Sequence, residues 1–304
     1  MPPDQKPTNR SLRAPLPLAI APVELAAGLH VVATPIGHLG DVTLRALATL
    51  AAADLVLCED TRVTRKLLDR YGLNPPLLAY HDHNAAEVRP RILRRLADSA
   101  AIALVSDAGT PLISDPGYKL VAAALEAGHR VYPVPGASAL LAALVAAGLP
   151  TDRFYFEGFL PSKAGQRRNR IAELVGIPAT LVLYETGPRL AESLADLANG
   201  LGARSAAVCR ELTKAFEEVR RGKLADLAAQ FAKAAAPKGE IVLVIAPPGD
   251  TARAVSSEEL DARLKRALAR GTLKDAVAEV TDETGLKRRE VYARALALAE
   301  EDNR

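Results

Sequence analysis

The chain has 304 residues, 49% hydrophobic and 25% charged, which suits two average domains with an appendage and excludes a disordered or low-complexity protein. A net charge of +3 is too mild to establish a nucleic-acid partner without local clustering, and no stretch approaches the ~20 apolar residues of a membrane span. Cys58 and Cys209 are the only cysteines, each inside an apolar strand pattern, so they read as packing thiols in a reducing compartment. The close pair His81 and His83 has no Cys or Glu at ligand spacing beside it, and no metal is expected.

Residues 1–27 are Pro- and Ala-rich without a continuous apolar core and read as a disordered extension. From Leu29 short β-rich runs alternate with helical ones. Strands are expected at 29–34, 54–59, 77–81 and 101–106, with a strand and turn at 130–136. Helices are expected at 44–53, 61–72, 85–98 (with Pro90 in its first turns), 117–128 and 138–148. Continuous apolar strands separated by helices predict a mainly parallel sheet covered on both faces, over 28–149.

After Leu149-Pro150 the composition shifts. FYFEGFL (154–160) alternates aromatic and small residues, and PSKAGQRRNR (161–170) is basic, glycine-containing and without matching acids, as expected of a flexible phosphate clamp. Strands follow at 180–185, 205–212, 216–222 and 239–247, with helices around 188–200 and 223–235. The short link between the runs 205–212 and 216–222 fits antiparallel pairing, so the domain 150–249 reads as a mixed sheet. Residues 250–304 are charged and helical, three segments with Gly271 and Gly285 at the corners, as in a small helix-turn-helix unit. Its 11 basic and 11 acidic residues over 251–304 balance, so any basic face there must come from arrangement.

The most informative segment is ALVSDAGTPLISDPG (103–117), an apolar strand that runs into Gly109, Pro111, Pro116 and Gly117. Small residues there let a ligand approach the backbone, and long loops inside compact domains are usually functional. Asp107 and Asp115 in the same turn suit hydroxyl or ammonium groups and would repel phosphate. A nicotinamide dehydrogenase is disfavoured, because no G-x-G-x-x-G follows the first strand.

Seven motifs occur in order: VATPIGHLGDVTLRAL (32–47), LCEDTRVTRKLL (57–68), SDAGTPLISDPG (106–117), PVPGASALLAAL (133–144), FEGFLPSKAGQR (156–167), LYETGPRL (183–190) and RELTKAFEEVRRG (210–222). With them the chain strongly resembles the small-subunit rRNA 2′-O-methyltransferases of the RsmI type, in the tetrapyrrole methylase superfamily, over about 29–247, and its tail resembles that family's helical domain. The resemblance implies two α/β domains with S-adenosylmethionine in the cleft between them, methylation of a cytidine 2′-hydroxyl in the decoding region of 16S rRNA, a 30S substrate, a homodimer and a cytoplasmic location. Carried onto matching positions it implies cofactor contacts at Pro35, Asp107, Ala108, Gly109, Thr110, Ile113, Ser138, Ala139, Glu185, Leu212 and Ala246. A tetrapyrrole C-methyltransferase shares that fold and cofactor, and a nucleic-acid-binding sensor is the reading from another class; the appended tail weighs against the first, and the Ala- and Leu-rich helix 286–299 is a poor reading head for the second.

Methyl transfer from a sulfonium relies on positioning and electrostatics, and a ribose hydroxyl, a poor acid, benefits from a base or nearby cation. Candidates at strand ends are Glu59, Asp60, Glu185 and Lys214, with Glu185 or Lys214 preferred; each also reads as a cap or surface ion pair, Asp60 as the N-cap of the helix after it. Arg62, Lys163, Arg167, Arg168, Arg189, Lys214, Lys287, Arg288 and Arg289 are the candidate RNA contacts, although many such residues are simply solvated.

Overall fold

The computed structural model describes residues 24–248, 257–284 and 288–301, so the expected extension up to residue 23, Gly285 and Lys287 lie outside the described residues. Five apolar runs become parallel strands: β1 (Gly28–Val32), β2 (Leu55–Cys58), β3 (Leu77–Ala79), β4 (Ala101–Leu104) and β5 (Val131–Val134), in the order β3-β2-β4-β1-β5. Alternation along each strand sends side chains to opposite faces. Leu55, Leu57, Ile102 and Leu104 pack under α3 (Ala85–Ala97) and α4 (Tyr118–Glu126), while Val56, Cys58, Ala103 and Val105 pack under α1 (Leu44–Ala52) and α2 (Thr61–Arg70). The reason is topological. Crossovers β1–α1–β2 and β2–α2–β3 step one way along the sheet, β3–α3–β4 and β4–α4–β5 step the other, and a right-handed connection puts opposite steps on opposite faces. Pro90 sits in the second turn of α3, which continues through it.

The chain divides into two compact units, one reaching to Ala142 and including Glu211–Glu217, the other made of Ala143–Arg210 and the chain from Glu218 onward. The break falls inside α5 (Ala139–Ala147), ahead of the 149/150 boundary suggested by composition.

The second unit holds β6 (Phe154–Phe159), α6 (Ala164–Leu174), β7 (Thr180–Thr186), α7 (Gly187–Leu201), β8 (Ser205–Arg210), β9 (Glu218–Lys223), α8 (Leu224–Ala232) and β10 (Glu240–Ile245), with sheet order β6-β7-β10-β8-β9. Only β6 and β7 pair in parallel; the other three pairings are antiparallel, as the short link between β8 and β9 suggests. Leucines of α7 at 190, 194, 197 and 201 form one helical face against Leu181, Leu183, Val208 and Leu243, with Leu227 and Phe231 of α8 beside them. On the opposite face the Cys209 thiol reaches the carbonyl of Ala143 at 3.9 Å. Both cysteines are buried and unbridged, and burial pushes the Cys58 thiol above its ordinary value, as befits inert packing groups.

Two expectations are corrected. The basic segment 161–170 is not a flexible loop: from Ala164 it is the helix α6, whose Arg167, Ile171 and Leu174 face inward. The strand expected to reach 212 stops at Arg210, because Glu211 and Thr213 adopt φ of 51° and 66°, which no strand accommodates. Finally α9 (Ser257–Leu268), α10 (Leu273–Thr284) and α11 (Arg288–Glu301) share their own core of Leu264, Val277, Val280, Val291 and Leu298, and Arg294 grips both oxygens of Asp261 through Nε at 2.6 Å and Nη2 at 2.5 Å.

Candidate functional site

β1 and β4 are neighbours whose onward connections leave for opposite faces of the sheet, and the crevice outside their carboxyl ends is where α/β proteins bind ligands. Three loops meet there. Thr34 and Gly109 form an isolated antiparallel bridge, with N–H···O distances of 2.8 and 3.0 Å. The Thr34 hydroxyl donates to the carbonyl of Ser106 at 3.2 Å, and Thr110 donates to that of Ala137 at 3.1 Å, which ties in the loop that starts α5. Gly109 has φ of 78°, and a Cβ there would lie 3.2 Å from Ile36. Glycine suits the turn, and its lack of a side chain lets Ile36 and the Ala137 carbonyl close in on the backbone at the crevice. Leu112 and Ser114, with φ of 73° and 63°, carry further strain in the same loop, as functional loops often do. The loop also brings Pro35, Ala108, Gly109 and Thr110 together with Ser138 and Ala139 of the α5 start, whereas Ile113 stands exposed. Thr34 and Ser106, which fasten the bridge, lie within the first and third motifs, yet nothing in their residue types marks them as site residues.

A carboxylate cluster flanks this crevice. Asp60 caps α2, its Oδ1 accepting the Arg62 N–H at 2.8 Å, and the Arg62 guanidinium grips both its oxygens, which holds the carboxyl down to about 2. The cap reading of Asp60 is thus realised. Asp107 accepts the N–H of Asp60 at 3.0 Å, linking the end of β4 to that of β2. Burial pushes the Asp107 carboxyl above the ordinary range despite that bond. Glu59 is raised too, first by burial and then by the charges of Asp107 and Asp82, and it makes no hydrogen bond among the described residues. No group of three or more His, Cys, Asp or Glu among the described residues is arranged to hold a metal.

The remaining candidates are placed as follows. Glu185, on β7 in the second unit, is 3% exposed; one oxygen accepts the Thr186 N–H at 2.8 Å, the other accepts the Ser193 hydroxyl at 2.5 Å, and Arg189 stands 3.4 Å away. Both its oxygens are engaged in holding the β7–α7 junction. Arg189 in turn donates to the carbonyl of Leu160 at 2.6 Å. Arg167, 3% exposed, is bound by Asp196 at 2.7 Å and Glu192 at 3.3 Å, both from α7. Arg170 is likewise held by Glu157 and Glu173, so the basic segment does have matching acids, while Lys163 and Arg168 remain at the surface. Ala246 follows β10 and bonds back to Ser205. Leu212 is buried in the 211–217 turn, where Lys214 pairs with Glu211 at 2.8 Å. Arg288 and Arg289 open α11 and are exposed.

Comparison with known proteins agrees with this architecture. The model of the Tetrapyrrole (Corrin/Porphyrin) Methylases matches residues 28–228, and that of the RsmI C-terminal HTH domain matches 254–299. A Ribosomal RNA small subunit methyltransferase I of Mesorhizobium japonicum is 51% identical over 275 residues, 90% of this chain and 93% of that protein. The protein of the same name from Escherichia coli O157:H7 is 44% identical over 88% of this chain and 94% of its own. Among solved structures, diphthine synthase shares the fold with a TM-score of 0.57 at 18% identity, over 72% of this chain and 89% of that one. A uroporphyrin-III C-methyl transferase from Thermus thermophilus, complexed with S-adenyl homocysteine, shares it with a TM-score of 0.51 at 22% identity, over 71% and 96%. With two matched sheets, the matched helical tail and relatives this similar along nearly their whole length, the chain belongs to the tetrapyrrole methylase family and, within it, to the ribosomal RNA small subunit methyltransferase I group.

Proposed function

We propose that this enzyme transfers a methyl group from S-adenosylmethionine to the ribose 2′-hydroxyl of a cytidine in the decoding region of 16S rRNA, acting on the 30S particle as a cytoplasmic homodimer. The observation that carries the cofactor half is the crevice at β1 and β4, where the left-handed turn at Gly109, with φ of 78°, is braced by the Thr34 bridge. Such a cradle fits a nucleoside-like group, and Pro35, Ala108, Gly109, Thr110, Ser138 and Ala139 would hold it, with Asp107 available to a hydroxyl or ammonium group. The cofactor supplies a methyl group already activated on a sulfonium, so no covalent help from the protein is needed. Leu141 and Val145, one turn apart on α5 and 51% and 77% exposed, support the homodimer.

Removal of the hydroxyl proton falls to Glu59 in this reading. Asp60 is held by Arg62 and Glu185 has both oxygens engaged, whereas the Glu59 carboxyl, raised by burial and without a hydrogen bond among the described residues, is the one left to accept the proton. The test is incubation of the pure protein with labelled S-adenosylmethionine and 30S subunits lacking the modification, followed by nuclease digestion and mass spectrometry. Label on a cytidine ribose is expected; label on a base, or none, would overturn the assignment.

A further inference from the structure

The segment that begins at the Thr34 bridge continues into a second feature that the family likeness does not assign. Past Ile36 it forms Gly37, His38 and a single 3-10 turn, Leu39–Asp41, and these residues pack against the 211–217 turn of the same unit. The packing is close. The His38 N–H donates to the Thr213 hydroxyl at 3.1 Å, and a Cβ on Gly37 would stand 2.4 Å from the Lys214 side chain. Glu211 and Thr213 adopt left-handed backbone without being glycine, a conformation that persists only where surrounding structure enforces it and that clusters at functional sites. Here the enforcing contacts are visible: the Thr213 N–H donates to Glu217 at 2.7 Å and Lys214 pairs with Glu211 at 2.8 Å.

Between these segments and the end of α2 lies a cavity of about 440 Å³, within the range of small-ligand sites. Its nine lining residues include Arg70, Lys214 and His38 and no acid. His38 Nδ1 accepts the Gly40 N–H at 3.1 Å, which leaves the ring proton on Nε2 as a donor. Tyr71 forms a fixed aromatic wall, its hydroxyl bound to the carbonyl of Leu39 at 2.9 Å and the Arg70 guanidinium 6.0 Å from its ring centre. The Arg70 guanidinium, a ring donor, an aromatic wall and a lysine whose charge is shared with Glu211 form the chemistry of a nucleotide phosphate.

We infer that this cavity is an RNA subsite, which seats one nucleotide of the substrate strand with its phosphodiester against Arg70 and the His38 ring donor. The inference rests on the proposed RNA methylation and adds a docking point chained through Ile36 and Pro35 to the Gly109 loop. A strand held there is held in register with the crevice, because one continuous stretch of backbone lines both.

The test is Arg70→Ala, an exposed position at the end of α2, with Gly37→Ala as a second variant that crowds Lys214. Affinity for unmodified 30S subunits is measured across salt concentrations, together with KM and kcat for methyl transfer and calorimetric affinity for S-adenosylmethionine. We expect Arg70→Ala to raise KM for the subunit about tenfold and to reduce the salt slope by about one, with cofactor affinity within about twofold of wild type. A merely structural role would not move the salt slope. If wild type methylates the subunit and Arg70→Ala matches it in KM and slope, the subsite is wrong while the RNA reading stands; if wild type neither binds nor methylates RNA, both fall. Calorimetric binding of inorganic phosphate by wild type that Arg70→Ala loses while RNA affinity is kept would mean a free-anion site and overturn the assignment.

Discussion

Glu59 shows how function and stability pull against each other at one residue. Burial and the charges of Asp107 and Asp82 raise its carboxyl in the folded chain, so between the ordinary carboxylate value and the raised one the folded state binds more protons than the unfolded state. Stability therefore falls as pH rises through that window, and an ionised Glu59 is a standing cost at neutral pH. Glu59→Gln is expected to raise the melting temperature at neutral pH by about 1–3 °C, an advantage that disappears below the ordinary carboxylate range. The same variant should lower kcat by about 10²-fold or more with cofactor affinity kept. Loss of stability together with activity would show a packing role instead. Asp60 has the opposite sign: held down to about 2 by Arg62, it contributes stability above the ordinary carboxylate value that is lost as pH falls through the folded one. Acid titration of Asp60→Asn should accordingly show a weaker loss of stability below pH ~4 than wild type.

Among the elements, α6 shows where sequence reasoning stops. Its inward face runs Arg167, Ile171, Leu174, so a charged residue takes the place where periodicity looks for an apolar one, and the acids that answer it, Glu192 and Asp196, lie a full strand away on α7. Nothing local reveals that pairing. The early end of β8 was hidden for a related reason, since Glu211 and Thr213 turn the chain left-handed without a glycine to announce it. By contrast the strands of the first sheet were legible as continuous apolar runs, and the α2 start as its Asp60 cap. Removing one partner of a buried ion pair leaves the other uncompensated, so Arg167→Ala should destabilise the protein by about 3 kcal/mol in denaturant titration. Charge reversal at the exposed Lys163 and Arg168 should leave the melting curve in place while weakening RNA affinity; an equal loss of stability would mean that they too are structural.

For the whole molecule, the motif order pointed to two α/β domains and the charged helical pattern after residue 250 to a helical tail, and the structure supplies what neither contains: strand order, and with it the reversal at β1 and β4 that creates the crevice. The tail has its own core, and its exposed Arg288 and Arg289 stand at the opening of α11. Charge reversal at both should weaken binding to the small subunit by about tenfold with a shallower salt dependence and intact cofactor affinity, and unchanged binding would remove the tail from RNA recognition. The account as a whole depends on the left-handed turn at Gly109. Calorimetric titration of S-adenosylmethionine into wild type and Gly109→Val tests it most directly: saturable binding by wild type, and none by a variant that keeps its circular dichroism and cooperative melting, is the predicted result. No binding by wild type, or equal affinity in the folded variant, would contradict it.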